Sequence, residues 1–274
     1  MTDLDFTDEE IERYSRQIIL PEVGGAGQSR LRESSAFVVG AGGLGSPALL
    51  YLAAAGVGRI GLIDQDCVDL SNLQRQIIHQ TPDVGRPKPE SAQRALRALN
   101  PACEVKAVSA RLTVENIRQI VAGYDVVLDG SDNFPTRFLV ADFCWFERIR
   151  LVSAAVLRFE GQLLTILPGE GNACYRCFIP EPPPPGWIPS CQEAGVLGPA
   201  VGVMGVLQAA EAIKLLLGLG ETLDDRLLVY DALDCTFQSF RRVKDPDCPL
   251  CGRRPTITGL VNYDVTCAVA GVEA

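Results

Sequence analysis

The 274-residue chain is short of basic charge: 25 lysines and arginines face 34 aspartates and glutamates, for a net charge of −9. Nucleic-acid binders usually need a basic face, so that class is set aside, while a local basic cluster inside a cleft is not. The N-terminus lacks a basic stretch followed by an apolar one, and no membrane-spanning segment is read from the chain. The chain therefore reads as cytoplasmic, with no membrane partner. Solenoid-type repeats are absent, and low complexity is confined to five prolines within Glu181–Pro189, a run that predicts an exposed crossover loop. Histidine is nearly absent, His79 standing alone, so the chemistry has to do without a second imidazole.

Cysteine, by contrast, is plentiful, with ten residues. In a chain of this size without a secretion signal, the thiols read as reduced and free for metal or chemistry. Cys174 and Cys177 in CYRC, and Cys248 and Cys251 in CPLC, each have the bite of two corners of a tetrahedral zinc site. Together they make a closed four-cysteine site with no open catalytic position, hence a structural one. The redox alternative is weaker because neither pair sits at the turn of a βαβ unit. Cys67, Cys103, Cys144 and Cys235 read as core packing, and Cys267 falls in an unpatterned tail.

With 47% hydrophobic residues the chain can bury a full core. An acidic first turn and spaced apolar residues predict a helix over Thr7–Leu20. A strand (Ser35–Gly40), a helix (Gly42–Gly56) and a strand (Arg59–Asp64) follow as a βαβ unit. Helices over Glu90–Leu99, Thr113–Ala122 and Pro135–Glu147 alternate with strands over Glu104–Val108, Asp125–Asp129 and Arg150–Ala155. Such alternation implies a doubly wound, Rossmann-like α/β sheet, mostly parallel. Beyond it, 156–167 reads as a hairpin with Gly161 near its centre, Gly205–Leu217 as a helix, and 226–232 and 236–242 as closing strands: an antiparallel C-terminal extension. The expected organisation is an N-terminal helical segment (1–30), a nucleotide-binding region (31–155), the extension with its metal site and crossover loop as part of the same domain (156–252), and a tail (253–274).

Gly40, Gly42 and Gly45 fit G-x-G-x-x-G at a strand-to-helix turn, and Asp64 closes the next strand nineteen residues past Gly45, where a carboxylate takes ribose hydroxyls. Taken alone, this pattern favours NAD and a dehydrogenase. SNLQRQ (Ser71–Gln76) and Lys88 change the balance, because Asn72, Arg75 and a lysine supply more phosphate-directed charge than a diphosphate needs, and a triphosphate fits better. A solvated face for Arg75 and Lys88 is the plain alternative. DGSDN places Asp129, Asp132 and Asn133 at the carboxyl edge of the sheet, where one carboxylate could hold magnesium; for Asp132, capping the next helix competes with that role.

RYSRQIIL (Arg13–Leu20), GAGGLG, DQDCVDLSNLQRQ (Asp64–Gln76), GRPKPESA, LDGSDNFPTR, both C-x-x-C pairs and CQEAGVLGP (Cys191–Pro199) together resemble the MoeB/ThiF/HesA family of ubiquitin-activating-like adenylyltransferases, over about residues 8–252. The resemblance implies ATP-dependent adenylation of the C-terminal glycine carboxylate of a small ubiquitin-fold sulfur carrier ending in Gly-Gly, MoaD-like or ThiS-like, serving molybdopterin or thiamine biosynthesis. It implies that Gly42 and Gly43 approach the nucleotide, Asp64 holds ribose, Asn72, Arg75 and Lys88 hold phosphates, and Asp132 binds magnesium. Arg16 matches an arginine supplied across a homodimer, and Cys191 a cysteine that forms a thioester or acyl-disulfide with the carrier. Such a reaction needs no general base, since the carboxylate is already ionised at pH 7. The 23 residues after Cys251 are too few for a fused sulfurtransferase domain, so a separate sulfur donor, a cysteine desulfurase or rhodanese, is expected. A noncatalytic scaffold is disfavoured because Arg16, Arg75, Lys88 and Asp132 are all present.

Overall fold

The computed structural model describes residues 6–184 and 194–263. Eight strands, β1 (Ser35–Val39), β2 (Arg59–Asp64), β3 (Glu104–Ser109), β4 (Val126–Asp129), β5 (Arg150–Leu157), β6 (Glu160–Ile166), β7 (Arg226–Asp231) and β8 (Thr236–Arg241), form one sheet in the order β3-β2-β1-β4-β5-β6-β7-β8. The first five pair in parallel, and β5 to β8 continue antiparallel. Every residue of β1 and of β4 is buried, as near-continuous apolar runs require when helices cover both faces of a sheet.

One face is covered by α3 (Gly45–Ala54), α4 (Lys88–Leu99) and α7 (Gly198–Leu217), the other by α5 (Ile117–Val121) and α6 (Phe134–Phe146). α1 (Asp8–Ile18) begins at Thr7, whose hydroxyl accepts from Glu10 N–H while the Glu10 carboxylate takes Thr7 N–H, a reciprocal cap. The sequence pattern did not separate out α2 (Gly24–Glu33), because Gly24, Gly25 and Gly27 weaken any helix signal. Buried Leu31 and Gln28 hold it.

α7 begins seven residues earlier than its expected start at Gly205, since Gly198, Pro199 and Gly202 look like a loop. Pro199 lies in the first turn, where its missing N–H costs nothing, and at Gly205 a Cβ would run into the Leu44 carbonyl. By length and composition α7 is the one helix among the described residues that matches a membrane span, yet 61% of that stretch is buried inside the protein. Gly161 is not at the hairpin turn. It pairs with Val156 and Tyr230 and makes room for Met204, while Arg158, at φ 55°, makes the turn. Two cysteine expectations also fail: Cys103 and Cys144 are buried, but Cys67 and Cys235 are exposed.

Candidate nucleotide site and metal centre

At the carboxyl ends of β1, β2, β4 and β5 the chain encloses a cavity of about 820 Å³. Its floor is the glycine loop. Gly40 adopts φ 91° against the Gly130 carbonyl, and at Gly45 a Cβ would overlap the Gly40 carbonyl oxygen, so only glycine lets α3 start so close to β1. Gly40, Gly42 and Gly43 line the cavity; Gly45 supports the loop from behind.

Asp64, Arg75, Lys88 and Asp132 converge on the same space. Asp64 accepts from Ala41 N–H at 2.8 Å and Asp66 N–H at 2.9 Å. Burial raises its pKa above the usual carboxylate value, with Lys88 opposing. Lys88 is buried at 5% exposure and its Nζ sits 2.9 Å from Asp66, which rules out the solvated-face alternative for this lysine. Asp132 is exposed at the rim. It is not the helix cap, because Asn133 Oδ1 accepts the Thr136 N–H at 2.9 Å and fills that role for α6. Asp129 is fully buried and occupied by Ser131 and Ser153.

Two expected contacts are not brought to the cavity. Asn72 lies in a short 3-10 turn, where its side chain and that of Asp69 cap each other's backbone. Arg16 is exposed on α1 and does not line the cavity of its own chain. Cys191 lies outside the described residues, as do part of the proline run and Cys267. Among the described residues on either side of Cys191, Arg176 donates to the Pro180 carbonyl at 2.8 Å, and Arg158 exchanges backbone bonds with Gly195 and Leu197. The cavity continues past the glycine loop along the β5–β6 hairpin to Phe178, Val196, Asp231 and Leu233. Sequence reasoning assigned no role to Gln76 or Arg137, which also line it. Arg137 is buried and held by Ser153 and by the carbonyls of Ser131 and Ala154, and its only signal was its place in LDGSDNFPTR.

The four paired cysteines meet as expected, all four sulfurs within 4.8 Å of one another. Cys174 and Cys248 are 3.5 Å apart, Cys177 and Cys251 3.3 Å, and Cys174 and Cys177 3.9 Å. Zinc–sulfur bonds of about 2.3 Å in a tetrahedron separate the sulfurs by about 3.8 Å, so the set fits zinc. Burial, then repulsion from the other three sulfurs, drives the Cys174 thiol well above its ordinary range, and a divalent cation would offset that repulsion. Between the first pair, Arg176 forms a two-pronged pair with Asp142 of α6, at 2.8 Å on each side.

The profile of the ThiF family matches residues 14–250. The chain belongs to the ThiF family. Among curated ThiF-type relatives, it is 51% identical over 268 residues to the sulfur carrier protein adenylyltransferase of Thermus thermophilus, covering 96% of this chain and 99% of that protein. It is 54% identical over 243 residues to the SAMP-activating enzyme E1 of Haloferax volcanii, covering 89% of each. Bovine adenylyltransferase and sulfurtransferase MOCS3 is 50% identical, and the chain spans 58% of its length. The fold is shared with Escherichia coli MccB solved with MccA-N7isoASN, at 23% identity and a TM-score of 0.77 over 88% of this chain and 75% of that one. ThiF membership does not favour the dehydrogenase alternative.

Proposed function

We propose that this chain adenylates the C-terminal glycine carboxylate of a small ubiquitin-fold sulfur carrier ending in Gly-Gly, using ATP and releasing pyrophosphate. The observation that carries this reading is one continuous cavity with a glycine loop, Asp64, Arg75, Lys88 and Asp132 at one end and an open lane along the β5–β6 hairpin at the other. The carrier carboxylate attacks the α-phosphorus, the bond to the β-phosphate oxygen breaks, and pyrophosphate leaves. No proton has to be moved, which suits a site whose single histidine is buried beneath the loop. Gly42 and Gly43 let the nucleotide approach the backbone, Asp64 receives the ribose, and Arg75 and Lys88 offset phosphate charge. Asp132 would hold magnesium, which supplies charge neutralisation on the phosphates.

The exposure of Arg16 supports its use in a partner subunit's cavity, hence a two-fold homodimer. The sulfur donor is a separate protein, a cysteine desulfurase or rhodanese, and the setting is the cytoplasm, in molybdopterin or thiamine biosynthesis. Exchange of labelled pyrophosphate into ATP tests the reading: it should require magnesium and a carrier ending in Gly-Gly, and exchange at full rate with a carrier lacking its last glycine would overturn it. Cys191 is proposed as the thiol that takes the activated acyl group, expelling AMP. Intact-mass spectra should show a thiol-sensitive carrier adduct that Cys191→Ala removes while pyrophosphate exchange persists; no adduct during turnover would sink this role.

A further inference from the structure

His79 takes no part in the reaction above, yet it is buried where three pieces of the site meet. Its Nε2 lies 2.9 Å from the carbonyl oxygen of Ala41 in the glycine loop, and its Nδ1 lies 2.9 Å from Ser91 Oγ on α4, the helix that starts with Lys88. Its own N–H closes the turn behind Arg75 and Gln76 by donating to the Gln76 carbonyl. Ser91 Oγ is 2.8 Å from Asp83, whose other oxygen pairs with Arg94.

A carbonyl oxygen only accepts, so Nε2 must carry a proton, while the Ser91 hydroxyl donates to Asp83 and turns its oxygen toward Nδ1. Burial holds the ring below the ordinary imidazole value; the Ala41 carbonyl and Asp64 oppose this and Lys88 reinforces it. The Ala41 N–H is meanwhile held by Asp64. Ala41 C=O and Gly42 N–H belong to one planar trans peptide and point in opposite directions. Fixing the carbonyl on His79 therefore turns the Gly42 N–H away from the ring, at a residue that lines the cavity. That N–H bonds to none of the described residues.

We propose that His79 is a positioning residue for the nucleotide: by clamping the Ala41 carbonyl it aims the Gly42 N–H at the bound phosphates, and it locks the loop to the segments that carry Arg75 and Lys88. The proposal rests on the adenylation reading for its ligand but not for its geometry. Because the chain has one histidine, nitrogen-15 labelling of histidine gives a single assignable ring. At pH 7 the spectrum should show Nε2 protonated with a slowly exchanging Nε2–H; a bare Nε2 or a freely exchanging ring overturns the clamp, whatever the enzyme does. In pyrophosphate exchange with Mg-ATP and carrier, His79→Leu should raise KM for ATP about tenfold or more, the loss of one hydrogen bond to a charged group. His79→Gln, whose amide can still donate to Ala41, should recover most of it with a similar melting temperature. Wild-type KM in His79→Leu, or a folded His79→Gln no better than Leu, overturns the role; if His79→Leu does not fold, the glutamine variant and Ser91→Ala carry the same comparison. Absence of exchange in the unmodified enzyme would instead count against the adenylation reading.

Discussion

Asp132 and Asn133 are chain neighbours with separable duties. Asn133 caps α6, so Asp132→Ala should leave the melting temperature nearly unchanged while lowering pyrophosphate exchange by about 100- to 1,000-fold, the scale of removing one preorganised charge-stabilising group. Asn133→Ala should show a different signature, losing about 1 kcal/mol of stability in a denaturant titration. If Asp132→Ala unfolds the protein while sparing exchange, the assignment is wrong. Asp132, Asp64, Arg75 and Lys88 line one cavity at the strand edge, and the glycine loop and the ends of β2 and β4 already marked that edge in the sequence. The sequence could not show that Asn133 takes the cap, that Asn72 is spent on its own turn, or that Arg137 lines the cavity, since those outcomes depend on which side chain reaches which backbone group.

Among the elements, the knuckle after β6 that carries Cys174 and Cys177 and the segment after β8 share the four-sulfur cluster, and the cluster is the tie between them. Each subunit should contain one zinc, measurable by metal analysis of freshly purified protein, and strong chelators should lower the melting temperature because metal affinity at such sites is coupled to folding. Cys248→Ser should destabilise the protein far more than it lowers activity per folded molecule, and equal losses in both would contradict a structural metal. Strands β1 and β4 were legible almost to the residue, since their apolar runs are buried on both faces. Helices were less so: glycine and proline hid α2 and the start of α7, and the single turn at Thr113–Asn116, stitched by Asn116 to Thr113 N–H and the Arg111 carbonyl, shortened α5.

For the whole molecule, the separation of Arg16 from its own cavity makes a mixing experiment decisive. A heterodimer of Arg16→Ala and Asp132→Ala chains has one cavity with both residues intact and one with neither, if Arg16 acts across the dimer. Mixing the two inactive proteins should then restore up to about a quarter of the native activity, since about half the dimers are mixed and each offers one good site. No recovery, with subunit exchange verified by tagged pull-down, would place Arg16 elsewhere. Nothing in the sequence alone distinguished an arginine for self from one for a partner; the spacing is the same in both. α7 has a bearing on how the chain is made. Its composition would satisfy a lipid bilayer, yet the surfaces that receive it, α3, β4, β5 and β6, all precede it in the chain. As the polypeptide leaves the ribosome, the segments that cover this apolar helix emerge before it does.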